Sequence, residues 1–203
     1  MSKGRLEAFT DGVVAIIITI MVLELVAPHA ESVPTLADLL PLWPIFVSYV
    51  LSFVFVGIYW NNHHHLLHSS EKINGAVLWA NLFHLFWLSL IPFASAWMGE
   101  NTFAAWPVAL YGVILLMCGI AYYVLERLLI RLAGPDSPLA AAVGIDRKGL
   151  LSLAMYLCAI PLAFVNPWIA FGLYVTVAVI WFVPDPRLER RLAAQARNPE
   201  MIE

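Results

Sequence analysis

Six long apolar segments are the feature that most constrains what this chain can fold into. Each is close to the roughly 20 residues that an α-helix needs to cross the ~30 Å hydrocarbon core of a bilayer. Only 12% of the 203 residues are charged, whereas soluble domains carry about 25% charged residues. The sequence therefore predicts an all-α membrane protein with six transmembrane helices. The predicted spans are residues 8–27, 42–62, 75–98, 105–126, 149–166 and 168–184.

The basic residues predict the orientation of these spans. All 11 lysines and arginines lie before the first span, between the second and third, between the fourth and fifth, or after the sixth. Because cytoplasmic loops are enriched in Lys and Arg, both termini are predicted to be cytoplasmic. Residues 1–184 are predicted to form one transmembrane domain, followed by a cytoplasmic tail at 185–203. Spans five and six are predicted to form a short helical hairpin, with a single broken segment as the alternative.

Charged and polar residues lie at the start of the first span, where they are costly and need partners. Thr10 or Asp11 could cap the free amides of the helix. Alternatively, these residues form a polar cluster with neighbouring helices, because the second span ends in several histidines and the third carries Asn81 and His84 on one face. Trp60, near a span end, is interpreted as a membrane anchor. The predicted cluster contains Arg5, Thr10, Asp11, His64, Asn81 and His84.

Two of the histidines also allow a metal site. His64 and His68 stand at i and i+4 on the predicted second helix, a spacing that zinc sites use. No cysteine or well-placed acid completes the site, so structural hydrogen bonding is favoured and no metal or other cofactor is predicted. A role in sensing pH stays open, because imidazoles titrate near neutral pH.

Within the first span, a stripe of apolar side chains shares one helical face with a single hydroxyl. Ile16, Ile20 and Leu23 recur at helical spacing, and Thr19 lies beside them. Around a symmetry axis such side chains would form apolar rings, which gate conduction by dewetting. The same spacing also fits a stripe that faces lipid or the core of the protein. Glu24, at the outer end of this span, could draw in cations, or the outer face could lack basic residues for orientation alone.

Several classes of function lack their signatures in this sequence. It has no glycine-rich phosphate loop, nucleophile elbow or metalloprotease helix pattern, so the protein is not predicted to be an enzyme. The Thr-Val-Gly-Tyr-Gly filter of ordinary potassium channels is also missing. The basic residues are too few and too scattered for nucleic-acid binding.

The segment Arg5-x-x-x-Phe9-Thr10-Asp11 resembles the transmembrane protein 175 family, in its small bacterial form. That family carries Arg-x-x-x-Phe-Ser-Asp at the start of its first span, and Thr10 here keeps the hydroxyl of the serine. The resemblance extends through residues 12–25. It also covers the histidines that end the second span and the pattern from Asn81 to Pro92-Phe93 in the third.

This resemblance implies a potassium-permeable cation channel without a filter loop, in the cell membrane of a bacterium. It implies a homotetramer in which the first helix of each chain lines a central pore. The neck would then consist of Ile16, Ile20 and Leu23, with Thr19 contributing to selectivity and Glu24 at the outer mouth. Arg5 and Asp11 would belong to the network between helices. The alternatives are a proton-coupled transporter or proton-conducting channel that uses Asp11, His64 and His84, and a purely structural membrane protein.

Overall fold

The computed structural model describes residues 2–28, 35–70, 72–144 and 146–182, and these residues form helices and their connections. The predicted tail, 185–203, lies outside the described residues. In chain order the helices are α1 (Lys3–Leu23), a 3₁₀ helix (Leu36–Leu42), α2 (Trp43–His68), α3 (Gly75–Ser89), α4 (Ile91–Glu100), α5 (Ala105–Ala133), α6 (Pro138–Val143), α7 (Arg147–Leu162) and α8 (Pro167–Phe182).

Within the described ranges, four helical segments are long and apolar enough to cross a membrane. They comprise α1, the 3₁₀ helix with α2, α3 with α4, and α5, and they coincide with the first four predicted spans. Helices α7 and α8 correspond to the last two predicted spans and are shorter than the other four segments. Each has 16 residues and so extends about 24 Å. They pack against one another, which favours the predicted hairpin over one broken segment. The chain is thus an all-α membrane protein with four clear apolar spans and shorter helices.

A proline divides the third segment into two helices. Pro92 lies in the first turn of α4, and α3 ends three residues before it. Proline has no N–H to donate, and its ring clashes with the carbonyl of the preceding turn. The amide of Leu90 bonds instead to the carbonyl of Trp87, at 3.2 Å. Pro92 therefore interrupts the helix at this point.

Helix α5 lies at the centre of the packing, in contact with α3, α4, α7 and α8. The hydroxyls of its buried Tyr111 and of the neighbouring Tyr174 on α8 both have hydrogen-bond partners within the core. The hydroxyls of Ser52 and Tyr111 lie 2.9 Å apart, and Tyr174 donates to the carbonyl of Val108 at 3.1 Å. Gly112 permits the close approach of α8, because a Cβ there would overlap the hydroxyl of Tyr174.

Helix α1 packs against the rest of the chain with one face only. That face meets α2, α3 and α4. The remainder of the helix has no neighbour within the part of the chain that the structure describes. Its buried residues follow helical spacing and are Leu6, Thr10, Val14, Ile17 and Met21.

Candidate pore-lining helix and its polar network

The predicted apolar stripe lies on the bare side of α1. Ile16 is 58% exposed, Ile20 is 43% exposed and Leu23 is 73% exposed, whereas their neighbours Ile17 and Met21 are almost fully buried. At about 100° per residue, the stripe points well away from the buried face. Exposed apolar residues on a membrane helix meet either lipid or another protein chain. The geometry therefore leaves this stripe open to lipid or to another protein chain.

Thr19 lies on the same bare side, and its hydroxyl is held by its own helix. Its Oγ1 donates to the carbonyls of Ala15 and Ile16, each at 3.0 Å. A hydroxyl carries one proton and two acceptor lone pairs. Because the proton is directed at the helix backbone, the lone pairs of Thr19 remain available outside the helix. In this rotamer Thr19 can accept a hydrogen bond or contact a cation.

An open groove of about 540 Å³ runs between α1 and the α3–α4 segment. Ile16 and Ile20 form part of its α1 wall. Glu24, the residue that follows α1, and Glu100, the last residue of α4, also line it. The groove is therefore mainly apolar and has two carboxylates among its lining residues. Its opposite wall consists of Ser89, Pro92, Phe93, Ala96 and Trp97.

A buried hydrogen-bond network joins α1, α2 and α3. Asn81, with none of its surface exposed, donates from Nδ2 to the hydroxyl of Thr10 at 3.0 Å. Its Oδ1 lies 2.7 Å from Nε2 of His63. Because the amide nitrogen is already donating to Thr10, the oxygen must accept from His63, so His63 is protonated at Nε2. One asparagine thus ties three helices together.

A second contact holds the start of α1 against the end of α2. The indole Nε1 of Trp60 donates to Oδ1 of Asp11 at 2.9 Å. Nearer the N-terminus, Nζ of Lys3 donates to the backbone carbonyl of His68 at 3.0 Å. The interpretation of Trp60 as only a membrane anchor is therefore incomplete, because its indole binds the acid of the sequence motif.

The observed network differs in membership from the predicted one. The structure brings Thr10 and Asn81 together, but His63 occupies the place that was assigned to His64. One residue rotates a helix by about 100°, so His64 is exposed. In the structure His63 lies on the buried side of α2 together with Val56, Tyr59, Leu66 and Leu67, a side that the apolar pattern of a membrane helix does not reveal.

Arg5 and His84 also stand outside the network. Arg5 is exposed and forms no ion pair or hydrogen bond within the described ranges. His84 is fully buried, and within the described residues no side chain forms a hydrogen bond with its ring nitrogens, although the backbone of Cys118 faces the ring. Its ring packs edge-on against Tyr59 and Tyr122 and lies parallel to that of His63, with centroids 6.3 Å apart. His84 therefore contributes by packing.

Comparison with known proteins identifies the family. The model of the family described as endosomal/lysosomal potassium channel TMEM175 matches residues 5–92, the segment that contains the network. A potassium channel of Chryseobacterium sp. (strain P1-3) is 52% identical over 192 residues, or 95% of this chain and 98% of the relative. The human endosomal/lysosomal proton channel TMEM175 is 33% identical over 103 residues, which cover 46% of this chain and 20% of that protein.

A solved structure supports the same assignment. The crystal structure of a lysosomal potassium-selective channel TMEM175 homologue from Chamaesiphon minutus matches with a TM-score of 0.77 at 29% identity, covering 88% of this chain and 95% of that one. These relatives are channels and not enzymes. Since the Chryseobacterium relative aligns over nearly its whole length, this chain belongs to the TMEM175 family.

Proposed function

We propose that this protein is a passive potassium channel of the bacterial cell membrane. The observation that carries the proposal is the bare apolar side of α1, in a chain 52% identical to a protein named as a potassium channel. In this proposal four copies assemble around an axis, and α1 of each copy lines the pore. Residues 1–184 form one domain that crosses the membrane six times, with both termini cytoplasmic.

The neck of the pore would consist of Ile16, Ile20 and Leu23. Rings of branched apolar side chains resist hydration, so a narrow neck closes by dewetting and opens when it widens. Thr19 would contribute selectivity, because its oxygen can replace part of the hydration shell of an ion. The support for this role is the hydrogen bonding of Thr19, whose proton is directed at the backbone of its own helix.

The α3–α4 wall of the groove, which includes Phe93 and Trp97, would pack against the neighbouring subunit, while the α1 wall with Ile16 and Ile20 would face the pore. An apolar groove of this kind would be costly if it faced water. In the membrane, its shape allows another helix to pack against it. Glu24 and Glu100 both line the groove. Repeated around an axis, these carboxylates would give the outer mouth a negative potential that concentrates cations.

Proton conduction is the second candidate function, because the human relative is named as a proton channel. The predicted route used Asp11, His64 and His84. Within the described residues these three side chains share no chain of direct hydrogen bonds: Asp11 binds Trp60, His64 is exposed, and His84 has no side-chain partner. A proton relay through these three residues would therefore need other groups to bridge them.

The test is the reversal potential of the purified protein in planar bilayers. With a potassium gradient and equal pH on both sides, a potassium channel reverses near the potassium equilibrium potential and shows unitary currents. A current that follows only a pH gradient would support the proton channel. Slow, saturable flux coupled to pH would support a transporter, and intact bilayers without current after confirmed insertion would refute conduction.

A further inference from the structure

The end of α2 carries a ladder of rings, of which only Trp60 takes part in the polar contacts between helices. Trp60, His64 and His68 follow one another at four-residue intervals and therefore share one helical face. The rings of Trp60 and His64 have centroids 6.3 Å apart, and those of His64 and His68 have centroids 6.1 Å apart with planes only 20° from parallel. Of the neighbouring histidines, His63 alone turns inward to bind Asn81.

The imidazole nitrogens of this ladder are available to a ligand. His64 and His68 are both exposed. Across residues 2–28, 35–70, 72–144 and 146–182, no protein group forms a hydrogen bond to either ring. Hydrogen bonding between helices therefore does not explain why these two histidines are present. Their imidazoles, one turn apart, are open to a ligand instead.

We propose that His64 and His68 together chelate a divalent first-row transition metal ion of the Zn²⁺ and Cu²⁺ class. Two histidines at i and i+4 on one helical face form the bidentate half of known zinc sites. Metal–nitrogen bonds are about 2.0–2.1 Å, so the two rings, whose centroids lie 6.1 Å apart, would rotate about their side-chain bonds to place one nitrogen each on the same ion. Imidazole donors select Zn²⁺, Cu²⁺ or Ni²⁺ over the hard cations Mg²⁺ and K⁺.

The remaining coordination positions would be filled by water. No group of three or more His, Cys, Asp or Glu side chains among the described residues could hold a metal ion, so the site has two protein ligands and an exchangeable ion. Bound metal would tie together the last two turns of α2. Those turns are where Trp60 binds Asp11 and where Lys3 binds the carbonyl of His68, so the ion would stabilise the α1–α2 contact.

The test uses the full chain, purified in detergent with any affinity tag removed. Isothermal titration with Zn²⁺ measures the affinity of the wild type, H64Q, H68Q and the matched control H65Q. Loss of an outer-shell partner of a metal ligand already weakens binding by about 10–100-fold, so H64Q and H68Q should each weaken it at least about tenfold. H65Q should bind like the wild type, because His65 lies off the ladder. Size-exclusion profiles check that each variant is folded.

Electron paramagnetic resonance of bound Cu²⁺ gives a second, independent readout. The wild type should show coupling to two imidazole nitrogens, and H64Q or H68Q should show one. Unchanged affinity in both variants would overturn the proposal, and so would an equal loss in H65Q or a single coordinating nitrogen in the wild type. Because binding is measured in detergent, the result is independent of whether the protein conducts potassium.

Discussion

Replacing Thr10 by valine should weaken the attachment of α1 to α3 in a way that can be measured. The substitution keeps the shape of the side chain but removes the oxygen that accepts from Nδ2 of Asn81 at 3.0 Å. Hydrogen bonds between membrane helices contribute about 0.6 kcal/mol on average and up to about 1.7 kcal/mol. Because this bond is fully buried, a loss of about 1–1.5 kcal/mol in the free energy of unfolding is expected.

Asn81→Ala should cost more, because it removes two hydrogen bonds and leaves His63 without its partner at 2.7 Å. A loss of about 1–3 kcal/mol is expected from two such bonds. Thr19→Val is the matched control on the same helix. The hydroxyl of Thr19 bonds only to carbonyls of α1 itself, so its removal should change stability by less than about 0.5 kcal/mol.

The assay is reversible unfolding in mixed micelles by titration with sodium dodecyl sulfate, followed by tryptophan fluorescence. A double-mutant cycle between Thr10→Val and Asn81→Ala isolates the energy of the pair. A coupling of about 0.6–1.7 kcal/mol is expected. Strictly additive losses would refute the bond between α1 and α3 as a source of stability. An equal loss in Thr19→Val would show that removing any hydroxyl from α1 lowers the free energy of unfolding, whether or not that hydroxyl bonds to another helix.

Three other predictions follow from the same geometry. Ile16→Asn should raise unitary potassium conductance several-fold by easing hydration of the neck, whereas Val22→Asn, on another exposed side of α1, should leave it unchanged; equal currents in both variants and the wild type would exclude the neck. Glu24→Gln should lower conductance at low ionic strength, and the deficit should vanish near 1 M salt, where the Debye length is about 3 Å; a deficit independent of salt would point to a structural role. Gly112→Ala should lower the detergent melting temperature, because its Cβ overlaps Tyr174, whereas Gly172→Ala meets no atom within 4 Å and should not; equal melting temperatures would contradict this packing.

The positions of the long helices could be predicted from the sequence because bilayer thickness sets a minimum length for an apolar segment. The break at Pro92 was also predictable, since proline removes a donor from the helix. Helix α7 (Arg147–Leu162) and the described part of α8 (Pro167–Phe182) lie within a few residues of the predicted spans 149–166 and 168–184. Their packing against α5, and that of α8 against α2, was not predictable, because a hydropathy profile contains no contacts between helices.

The rotation of α2 marks where prediction from the sequence fails. A membrane helix is apolar on every side, so the pattern of hydrophobic residues does not say which side faces the core. His63 and His64 are adjacent and chemically identical, yet one is buried against Asn81 and the other is exposed. The hydrogen bond of Trp60 was not predicted for a related reason. A role as membrane anchor already explains an aromatic residue near a span end, so its indole N–H was not assigned a partner.

The polar motif at the start of α1 acts on the apolar stripe by fixing the rotation of the helix. Thr10 and Asp11 are adjacent, so their side chains diverge by about 100°, and they are held by α3 and α2 respectively. The bond to α3 and the bond to α2 point in different directions. Together they fix the position of α1 along its axis and its rotation about that axis, which a single bond could not do. A rotation of one residue would exchange exposed Ile16 for buried Ile17. The orientation of the stripe therefore depends on hydrogen bonds that lie about one and a half turns from its nearest residue, Ile16, and more than three turns from Leu23.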